Sequence, residues 1–407
     1  MALDHDYLLT KSKSFCMYPW VSAHKMPSGH TGPCCVAVAD NSSGYHTVEE
    51  ISDAPFMRQI RSDMLDGKRP EICKSCWNME DNGSPSARQN ANHTQAKYID
   101  IVDQTQPDGR LPDFKYRYMD IRFSNLCNMK CRSCFSGYSS QWEMEDNKYP
   151  DANNPQTMDV DYEPSEMLQS IIAQIPNIDR AYFAGGEPLI TEEHYVILKE
   201  FIRQKKTDTL ITYNTNISKL HFRDEDLVKL WQQFDQHVMV FASLDHYGER
   251  AELIRSGTKW KQVEENYRRL HKLWRRGQIF LAITTTITSL NYASLWEFIE
   301  YMYDNDLVPQ DWQVNFALYP SHQCAWSIPN HIKQEAGEKL RETIELIRLR
   351  TGNNNELQAF YDLVDTVNNQ DHWEQNADEF KERMNRLDTI RDENLIQILP
   401  EISEMYL

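Results

Sequence analysis

The chain contains the stretch Cys127-Asn128-Met129-Lys130-Cys131-Arg132-Ser133-Cys134, in which three thiols are spaced four and then three positions apart. It follows a predicted β-strand over 116–124, and three cysteines so close together on a loop suit one metal cluster. A cube-shaped iron-sulfur cluster takes thiolate ligands on its irons, so three ligands leave one iron open to a group that is not protein. We therefore expect the chemistry at that open iron.

A second group of thiols lies in residues 1–110. Its members are Cys16, Cys34, Cys35, Cys73 and Cys76. A glycine and proline cluster at 27–33 predicts a hairpin turn, which can bring Cys16 and Cys34 together. Adjacent residues of a strand point to opposite faces, so only one of the neighbours Cys34 and Cys35 is expected to be a ligand. We favour Cys34 and expect Cys35 to pack as a small apolar group.

A CxxC turn formed by Cys73 and Cys76 follows a segment whose apolar spacing predicts a helix over 54–66. Such a turn can place two thiolates on one metal. Four thiolates that include one CxxC pair are common ligands of structural zinc, so a zinc site is one interpretation of this group. The polar residues 82–109 are expected to form a long connection toward the following domain.

From residue 115 onward, predicted strands alternate with helices, which implies a parallel sheet built from βα units. Four of these strands have one apolar and one polar face. A closed TIM barrel fills its centre with branched apolar side chains, so polar inner faces predict an open, wet interior, although any one of these residues could simply hydrogen-bond to its neighbours. The candidates for holding a polar substrate there are Tyr118, Asp120, Arg122, Asn214, Asn315 and Tyr319.

The second predicted strand ends in Gly185-Gly186-Glu187, some fifty residues after the three-thiol stretch. Two glycines let a ligand approach the backbone closely. The carboxyl end of a barrel strand is also where the active sites of such barrels lie. The motif is therefore a candidate ligand contact.

In this order, the CxxxCxxC stretch and the Gly-Gly-Glu turn resemble the motifs of the radical S-adenosylmethionine (radical SAM) enzymes, over residues 14–320. The resemblance implies that Cys127, Cys131 and Cys134 hold a 4Fe-4S cluster whose open iron is chelated by S-adenosylmethionine. One electron then yields a 5′-deoxyadenosyl radical, which abstracts hydrogen from a substrate. The implied α/β fold is a partial (β/α)6 TIM barrel at 111–325, with a small N-terminal iron-sulfur module at 1–110 and C-terminal helices at 326–407.

The resemblance also implies residues that hold the cofactor. Glu187 would contact the methionine amino group and Arg255 its carboxylate, a geometry that suits a guanidinium; a surface arginine is the alternative. The family often has an aromatic residue where this chain has Ser133, and Phe135 is expected to take over the packing near the adenine. The full set of implied cofactor contacts is Gly185, Gly186, Glu187, Asn216, Ser243, Arg255 and Phe135.

The N-terminal thiols resemble the auxiliary-cluster module that this family calls a twitch or SPASM domain, although that module more often follows the barrel. The resemblance implies a second 4Fe-4S cluster for electron transfer, held by Cys16, Cys34, Cys73 and Cys76. It also implies an external reductant, a flavodoxin or a ferredoxin.

Composition excludes some classes of protein. The 407 residues include 43 basic and 61 acidic ones, a formal net charge of −18, which argues against binding nucleic acid by bulk charge. No run of about 18 apolar residues is present, and the N-terminus resembles no signal peptide, so no membrane span is expected. We interpret the nine cysteines as those of a protein in the reducing cytoplasm.

Three functions follow as hypotheses. The first is a radical SAM enzyme that oxidises or rearranges a small polar molecule. The second is a maturase that modifies a ribosomally made peptide; we rank it lower because a module starting at Cys16 leaves no room for an N-terminal leader-binding domain. The third is a zinc or iron-sulfur protein without catalysis.

The isolated Cys324 is expected to be a small apolar filler of the core. The alternative is that its thiol lines the active site.

Overall fold

Short β-strands form an eight-stranded, mostly parallel sheet and a small separate hairpin. The computed structural model describes residues 3–39, 43–150, 164–235, 238–352 and 355–406. The strands are β1 Ser22–Lys25, β2 Thr31–Gly32, β3 Tyr118–Ile121, β4 Arg180–Phe183, β5 Leu210–Thr215, β6 His221–Phe222, β7 Glu225–Asp226, β8 Val238–Ser243, β9 Phe280–Ile287 and β10 Asp311–Phe316. The order in the large sheet is β10-β9-β8-β5-β4-β3-β1-β2, and β6 pairs with β7. Six of these strands occur in the α/β alternation that the sequence predicts.

Helices alternate with the later strands and continue after the last one. In chain order they are α1 Tyr18–Val21, α2 Val48–Asp53, α3 Pro55–Leu65, α4 Lys74–Asp81, α5 Ala87–Thr94, α6 Ser140–Lys148, α7 Pro164–Gln174, α8 Glu192–Arg203, α9 Leu227–Trp231, α10 Gly248–Ile254, α11 Trp260–Arg275, α12 Leu295–Asp304, α13 Asn330–Thr351, α14 Gln358–Asn368, α15 Trp373–Arg391 and α16 Leu395–Ile398. Helix α3 agrees with its prediction: Pro55 stands in its first turn, where proline is favoured, and its apolar residues Met57, Ile60 and Met64 are buried.

The chain divides into two compact units, each made of several segments. The first consists of Met1–Leu126, Met158–Thr212 and Lys229–His237, and the second of Cys127–Thr157, Tyr213–Val228 and Val238–Leu407. The domain boundaries near 110 and 325 stay a prediction.

In the first unit, the N-terminal hairpin forms as its glycine and proline cluster predicts. Strands β1 and β2 pair antiparallel, and the Met26 amide donates to the His30 carbonyl. Strand β1 also pairs in parallel with β3, which the sequence analysis did not foresee. A four-residue strand is too short for periodicity to identify it. The N-terminal segment therefore extends the sheet beyond the predicted six strands.

The expectation of a long polar connection over 82–109 is wrong. This segment contains α5 and a 3₁₀ helix, Ala96–Gln104. A capping box begins α5, because the Ser86 hydroxyl accepts from the Gln89 amide while the Gln89 side chain accepts from the Ser86 amide. Such reciprocal caps start helices even in polar sequences, so composition alone was misleading here.

In the second unit, the C-terminal helices bury apolar side chains rather than lying fully at the exterior. Trp312 of β10 contacts Phe298 of α12 and Phe360 of α14, with ring centroids 5.4 and 5.0 Å apart. Phe380 and Met384 of α15 are also fully buried. The C-terminal extension is thus part of the core of this unit.

Across the described residues, we find no helix with the length and apolar character that a bilayer crossing requires.

Candidate functional site

The three thiols of the 127–134 stretch lie on a half-buried loop at the start of the second unit. Burial raises the pKa of Cys134 to about 12, and the nearby Cys131 thiol adds to this shift. Burial likewise raises the pKa of Cys131, against the opposing charge of Arg255. The loop therefore places Cys131, Cys134 and Arg255 in one neighbourhood, as the predicted site requires.

The loop backbone is paired with a second loop that follows α10. The Lys130 amide donates to the Ser256 carbonyl and the Arg132 amide to the Ile254 carbonyl, each at 2.8 Å. Arg255 lies between the two acceptors, so this pairing sets its position relative to the thiols. Gly257 has a φ of +98°, and a Cβ there would lie 3.0 Å from the Asn128 carbonyl oxygen. Only glycine combines this conformation with such a close approach.

Arg255 forms an ion pair that the sequence analysis missed. Its Nε donates to Oδ2 of Asp245 at 2.7 Å, with only 16% and 2% of the two side chains exposed. The other carboxylate oxygen of Asp245 accepts from the Thr286 amide at 2.8 Å. Burial disfavours the charge of Arg255, but Asp245 and Cys131 outweigh it and raise the arginine pKa. An acidic residue directly after the strand Val238–Ser243 was the available signal.

Replacing Asp245 with asparagine should destabilise the protein by about 3–5 kcal/mol, because it leaves the buried Arg255 without its counter-ion. Thermal unfolding followed by circular dichroism measures this loss. The matched control is Asp306→Asn, which breaks the exposed pair of Arg275 and Asp306 (2.9 Å) and should cost about 0–1 kcal/mol. Equal effects of the two variants would show that the Asp245 pair does not stabilise the site.

A small cavity of about 10 Å³ lies beside the loop in the second unit. Three of the implied cofactor contacts line it, namely Asn216, Ser243 and Arg255, together with Asp245 and Met129 of the loop. Asn216 follows β5, Ser243 ends β8 and Arg255 follows α10, so the fold brings together side chains distant in sequence.

Asn216 is also tied directly to the cysteine loop. Its Nδ2 donates to Oδ1 of Asn128 at 3.2 Å, and Asn128 in turn donates to the Ser218 hydroxyl at 2.9 Å. The intervening Ile217 has a φ of +49°, a strained conformation for a β-branched residue. The Asn266 side chain, which donates to the Ile217 carbonyl at 2.8 Å, helps to hold this turn.

The Gly-Gly-Glu turn belongs to the first unit. A Cβ at Gly186 would lie 2.3 Å from the Leu126 carbonyl oxygen, whereas Gly185, with a φ of +127°, has no neighbour closer than 3.4 Å to such an atom. Glu187 is 1% exposed, and its carboxylate accepts from the Leu189 amide at 3.0 Å. Gly186 thus allows close packing against Leu126, the residue before the thiol loop. Glu187 accepts a hydrogen bond from the Leu189 amide in addition to its implied role as a ligand contact.

The N-terminal thiols meet around one enclosed cavity in the first unit. Cys16, Cys34, Cys73 and Cys76 are buried and line a small apolar cavity of about 20 Å³. Burial raises the pKa of Cys73 to about 12, and the Cys76 thiol adds to the shift. The structure therefore brings together the four thiols that the sequence analysis grouped.

The expectation that Cys35 packs as a small apolar group is wrong, because this residue is exposed. It lies beside the Asp120 carboxylate and does not line the cavity that holds Cys34. The turn after β2 orients the two neighbours differently, which spacing alone could not show.

Of the candidate substrate residues, Asp120 is fully buried and paired with His24, which was not predicted. Register places the two side by side on β3 and β1, and His24 Nδ1 lies 3.3 Å from Asp120 Oδ2. Burial raises the pKa of Asp120. The charges of His24 and Arg122 outweigh this effect, so the pKa of Asp120 falls below its usual value. Arg122 Nε is 3.5 Å from Asp120 Oδ1, and Tyr118 on the same face is half-buried.

The other predicted contacts differ in exposure. Asn214 and Phe135 are half-buried, and the Phe135 ring packs edge-on against Tyr138 at 5.2 Å. Asn315 is exposed and Tyr319 is 64% exposed. These last two do not lie in an enclosed interior. Strand β10 lies at the edge of the sheet and pairs with another strand on one side only. The alternation of polar residues in the sequence does not reveal this edge position.

The described part of the chain holds no set of three His, Cys, Asp or Glu side chains arranged to bind one metal ion. A four-iron cluster binds each thiolate at a different iron, so its ligands are spread more widely than those of a single ion. The isolated Cys324 is buried at 1% exposure, in keeping with a filler role.

Comparison with known proteins gives one family match. Residues 121–302 match the Radical SAM superfamily, and no curated protein matches the chain. Native anSMEcpe with bound AdoMet aligns with 58% of this chain and 62% of that chain, at 18% identity and a TM-score of 0.41. Streptococcus suis SuiB bound to S-adenosylmethionine aligns with 74% and 63%, at 12% identity and a TM-score of 0.39. The chain thus spans less than two thirds of either structure.

Proposed function

We propose, from the radical SAM superfamily domain that residues 121–302 form, that this protein reductively cleaves S-adenosylmethionine at a 4Fe-4S cluster. Members of this superfamily are enzymes. When bound, the cluster and the cofactor supply a 5′-deoxyadenosyl radical for abstracting hydrogen from a substrate. The observation that carries the proposal is the half-buried loop of Cys127, Cys131 and Cys134, paired along its backbone with the segment that holds Arg255.

The residues around this loop fit an amino-acid cofactor. Arg255 offers a guanidinium to the methionine carboxylate, and Asp245 holds that guanidinium in place at 2.7 Å. Asn216 and Ser243 line the same cavity. The resemblance to the family leads us to assign Gly185, Gly186 and Glu187 to the methionine amino group. The Glu187 carboxylate, an acceptor group, is the proposed partner of that amino group.

For the first unit we propose an auxiliary 4Fe-4S cluster held by Cys16, Cys34, Cys73 and Cys76, which accepts or relays electrons from the substrate. Four buried thiols around one apolar cavity support this assignment, and an apolar shell also keeps water from the cluster. A structural zinc ion is the alternative for the same thiols. A flavodoxin or a ferredoxin is the proposed reductant.

A small polar molecule is the proposed substrate, and the inner face of β1, β3 and β5 supports it. Among the described residues, Ser22 Oγ of β1 and Thr212 Oγ1 of β5 are buried without a hydrogen-bond partner. Each such atom calls for a water, an ion or a ligand group. The proposed substrate contacts are Tyr118 and Asp120 of β3, Arg122 directly after that strand, and Asn214 of β5.

Modification of a peptide is the second candidate. The observation that favours it is the exposure of Leu318 and Tyr319, 73% and 64%, directly after β10. Large exposed apolar side chains are typical of surfaces that bind a partner chain. Together with Asn315, they would contact such a peptide outside an enclosed interior.

Anaerobic purification followed by an assay for 5′-deoxyadenosine tests the proposed function. We expect a brown protein with about eight irons per chain, if both sites hold four-iron clusters, and formation of 5′-deoxyadenosine when S-adenosylmethionine and dithionite are added. Deuterium transfer from labelled small molecules or peptides into this product then separates the two substrate classes. Colourless protein that contains only zinc would contradict the proposal and favour the non-catalytic alternative.

A further inference from the structure

Lys130 and Arg132, the two basic residues that flank Cys131 in the cluster loop, both form ion pairs with carboxylates, and the two groups of ion pairs are connected. Lys130 pairs with Glu145 of α6. The same carboxylate accepts from Arg391, the last residue of α15, at 2.7 Å. On the other side, the Arg132 guanidinium is 0% exposed and pairs with Asp388 and, at 2.7 Å, with Glu393.

A single hydroxyl closes the set. The Ser256 Oγ receives a hydrogen bond from Arg391 at 3.1 Å, and its single proton is shared between the Leu253 carbonyl at 3.0 Å and the Glu393 carboxylate at 3.3 Å. The same residue accepts the Lys130 amide through its carbonyl. We call the six charged residues, with Ser256 at their junction, the ion-pair ring: Lys130, Arg132, Glu145, Asp388, Arg391 and Glu393.

The ion-pair ring has further contacts that hold it in one arrangement. The Arg391 guanidinium lies over the Trp142 ring at 4.6 Å, and the indole of Trp142 donates to the Cys131 carbonyl at 2.8 Å. The second carboxylate oxygen of Asp388 accepts from the Leu395 amide at 2.8 Å and the Tyr406 hydroxyl at 2.7 Å. The Asp388 and Glu393 carboxylates are therefore oriented by more than their cation, and the chain on both sides of Cys131 is anchored to the C-terminal segment.

We propose that the ion-pair ring positions Cys131 and balances the charge beside the cluster, so that Asp388, Arg391 and Glu393 are positioning residues for the catalytic site. Three cations face three carboxylates, and the ring adds no net charge to the loop. Removing one carboxylate leaves an excess positive charge near the thiolates, which favours the reduced cluster and frees one side of the loop. This inference rests on the proposed function, because it assigns a role toward the proposed cluster.

The test compares Glu393→Gln and Asp388→Asn with the wild-type holoenzyme. We expect a less negative midpoint potential for the cluster, an altered change in its electron paramagnetic resonance signal on adding S-adenosylmethionine, and a 5′-deoxyadenosine rate about 10- to 100-fold lower, as for other partners that orient metal ligands. Glu393→Asp, which keeps the charge, should restore most of the potential. In Arg132→Gln/Glu393→Gln the loss should be no larger than in Arg132→Gln alone, because removing Arg132 already breaks its contact with Glu393.

The control is Asp365→Asn, which removes a carboxylate paired with Arg341 at 2.8 Å on the C-terminal helices and should leave the potential unchanged. Hydrogen exchange of the loop over 127–138, measured in metal-free protein, should be faster in Glu393→Gln and Asp388→Asn than in the wild type, and unchanged in Asp365→Asn. Wild-type potential and exchange in Glu393→Gln would overturn the inference. A wild-type protein that binds no iron would contradict the proposed function. In that case, unchanged hydrogen exchange in Glu393→Gln would separately contradict the positioning role of the ion-pair ring.

Discussion

Replacing Cys127, Cys131 and Cys134 together with alanine should reduce 5′-deoxyadenosine formation to background. These thiols are the proposed ligands of the cluster that chelates S-adenosylmethionine, and without them no electron reaches the cofactor's sulfonium. The variant should still fold, because the three thiols are only half-buried and the loop is held by backbone pairing. Chromatographic detection of 5′-deoxyadenosine after anaerobic incubation with dithionite and S-adenosylmethionine measures the effect.

Cys324→Ala is the matched control for this triple variant. It also removes a thiol of the second unit, but one that is buried at 1% exposure and lies outside the proposed cluster. It should retain both its iron and its 5′-deoxyadenosine formation. Cofactor cleavage that persists in the triple variant would show that the site is assigned to the wrong thiols.

The double variant Cys73→Ala/Cys76→Ala should lose about half of the iron while keeping 5′-deoxyadenosine formation in the absence of substrate. Both thiols line the N-terminal cavity, and two of four ligands are too few to keep a cubane cluster. Substrate oxidation, once a substrate is known, should be lost. Iron and zinc are measured together by plasma mass spectrometry.

Cys35→Ala is the control for the N-terminal site, because its exposed thiol adjoins Cys34 without lining the cavity. This variant should keep the full metal content, whereas Cys34→Ala should behave as the double variant does. If the double variant loses zinc and no iron, the structural zinc alternative is correct. If neither metal falls, the N-terminal thiols hold no metal.

Several local features could be predicted from the sequence. The glycine and proline cluster before Cys34 predicts the hairpin of β1 and β2, because such residues favour tight turns. The apolar spacing within Pro55–Leu65 predicts α3 for the same kind of local reason. Where a local signal was outweighed by another, the prediction failed: the capping box at Ser86 begins a helix inside a segment whose composition indicates a loop.

Features that depend on contacts between distant segments could not be predicted. Asp245 becomes a candidate site residue only because a turn returns Arg255 to it, and His24 only because β1 joins the sheet beside β3. Asn315 and Tyr319 have the polar alternation of an inner face, yet they are exposed. Alternation identifies the two faces of a strand, but the position of that strand in the sheet determines what each face meets.

The sequence by itself predicted a three-thiolate cluster site, because the spacing of closely placed cysteines is a local property of the chain. It likewise determined the alternation of strands and helices and the grouping of the N-terminal thiols. Only the tertiary structure decided that Cys34 rather than Cys35 lines the cavity, and that Arg132 meets Asp388 and Glu393. A buried guanidinium needs carboxylates within a few ångströms, and more than 250 residues separate it from these two, so no local pattern could pair them.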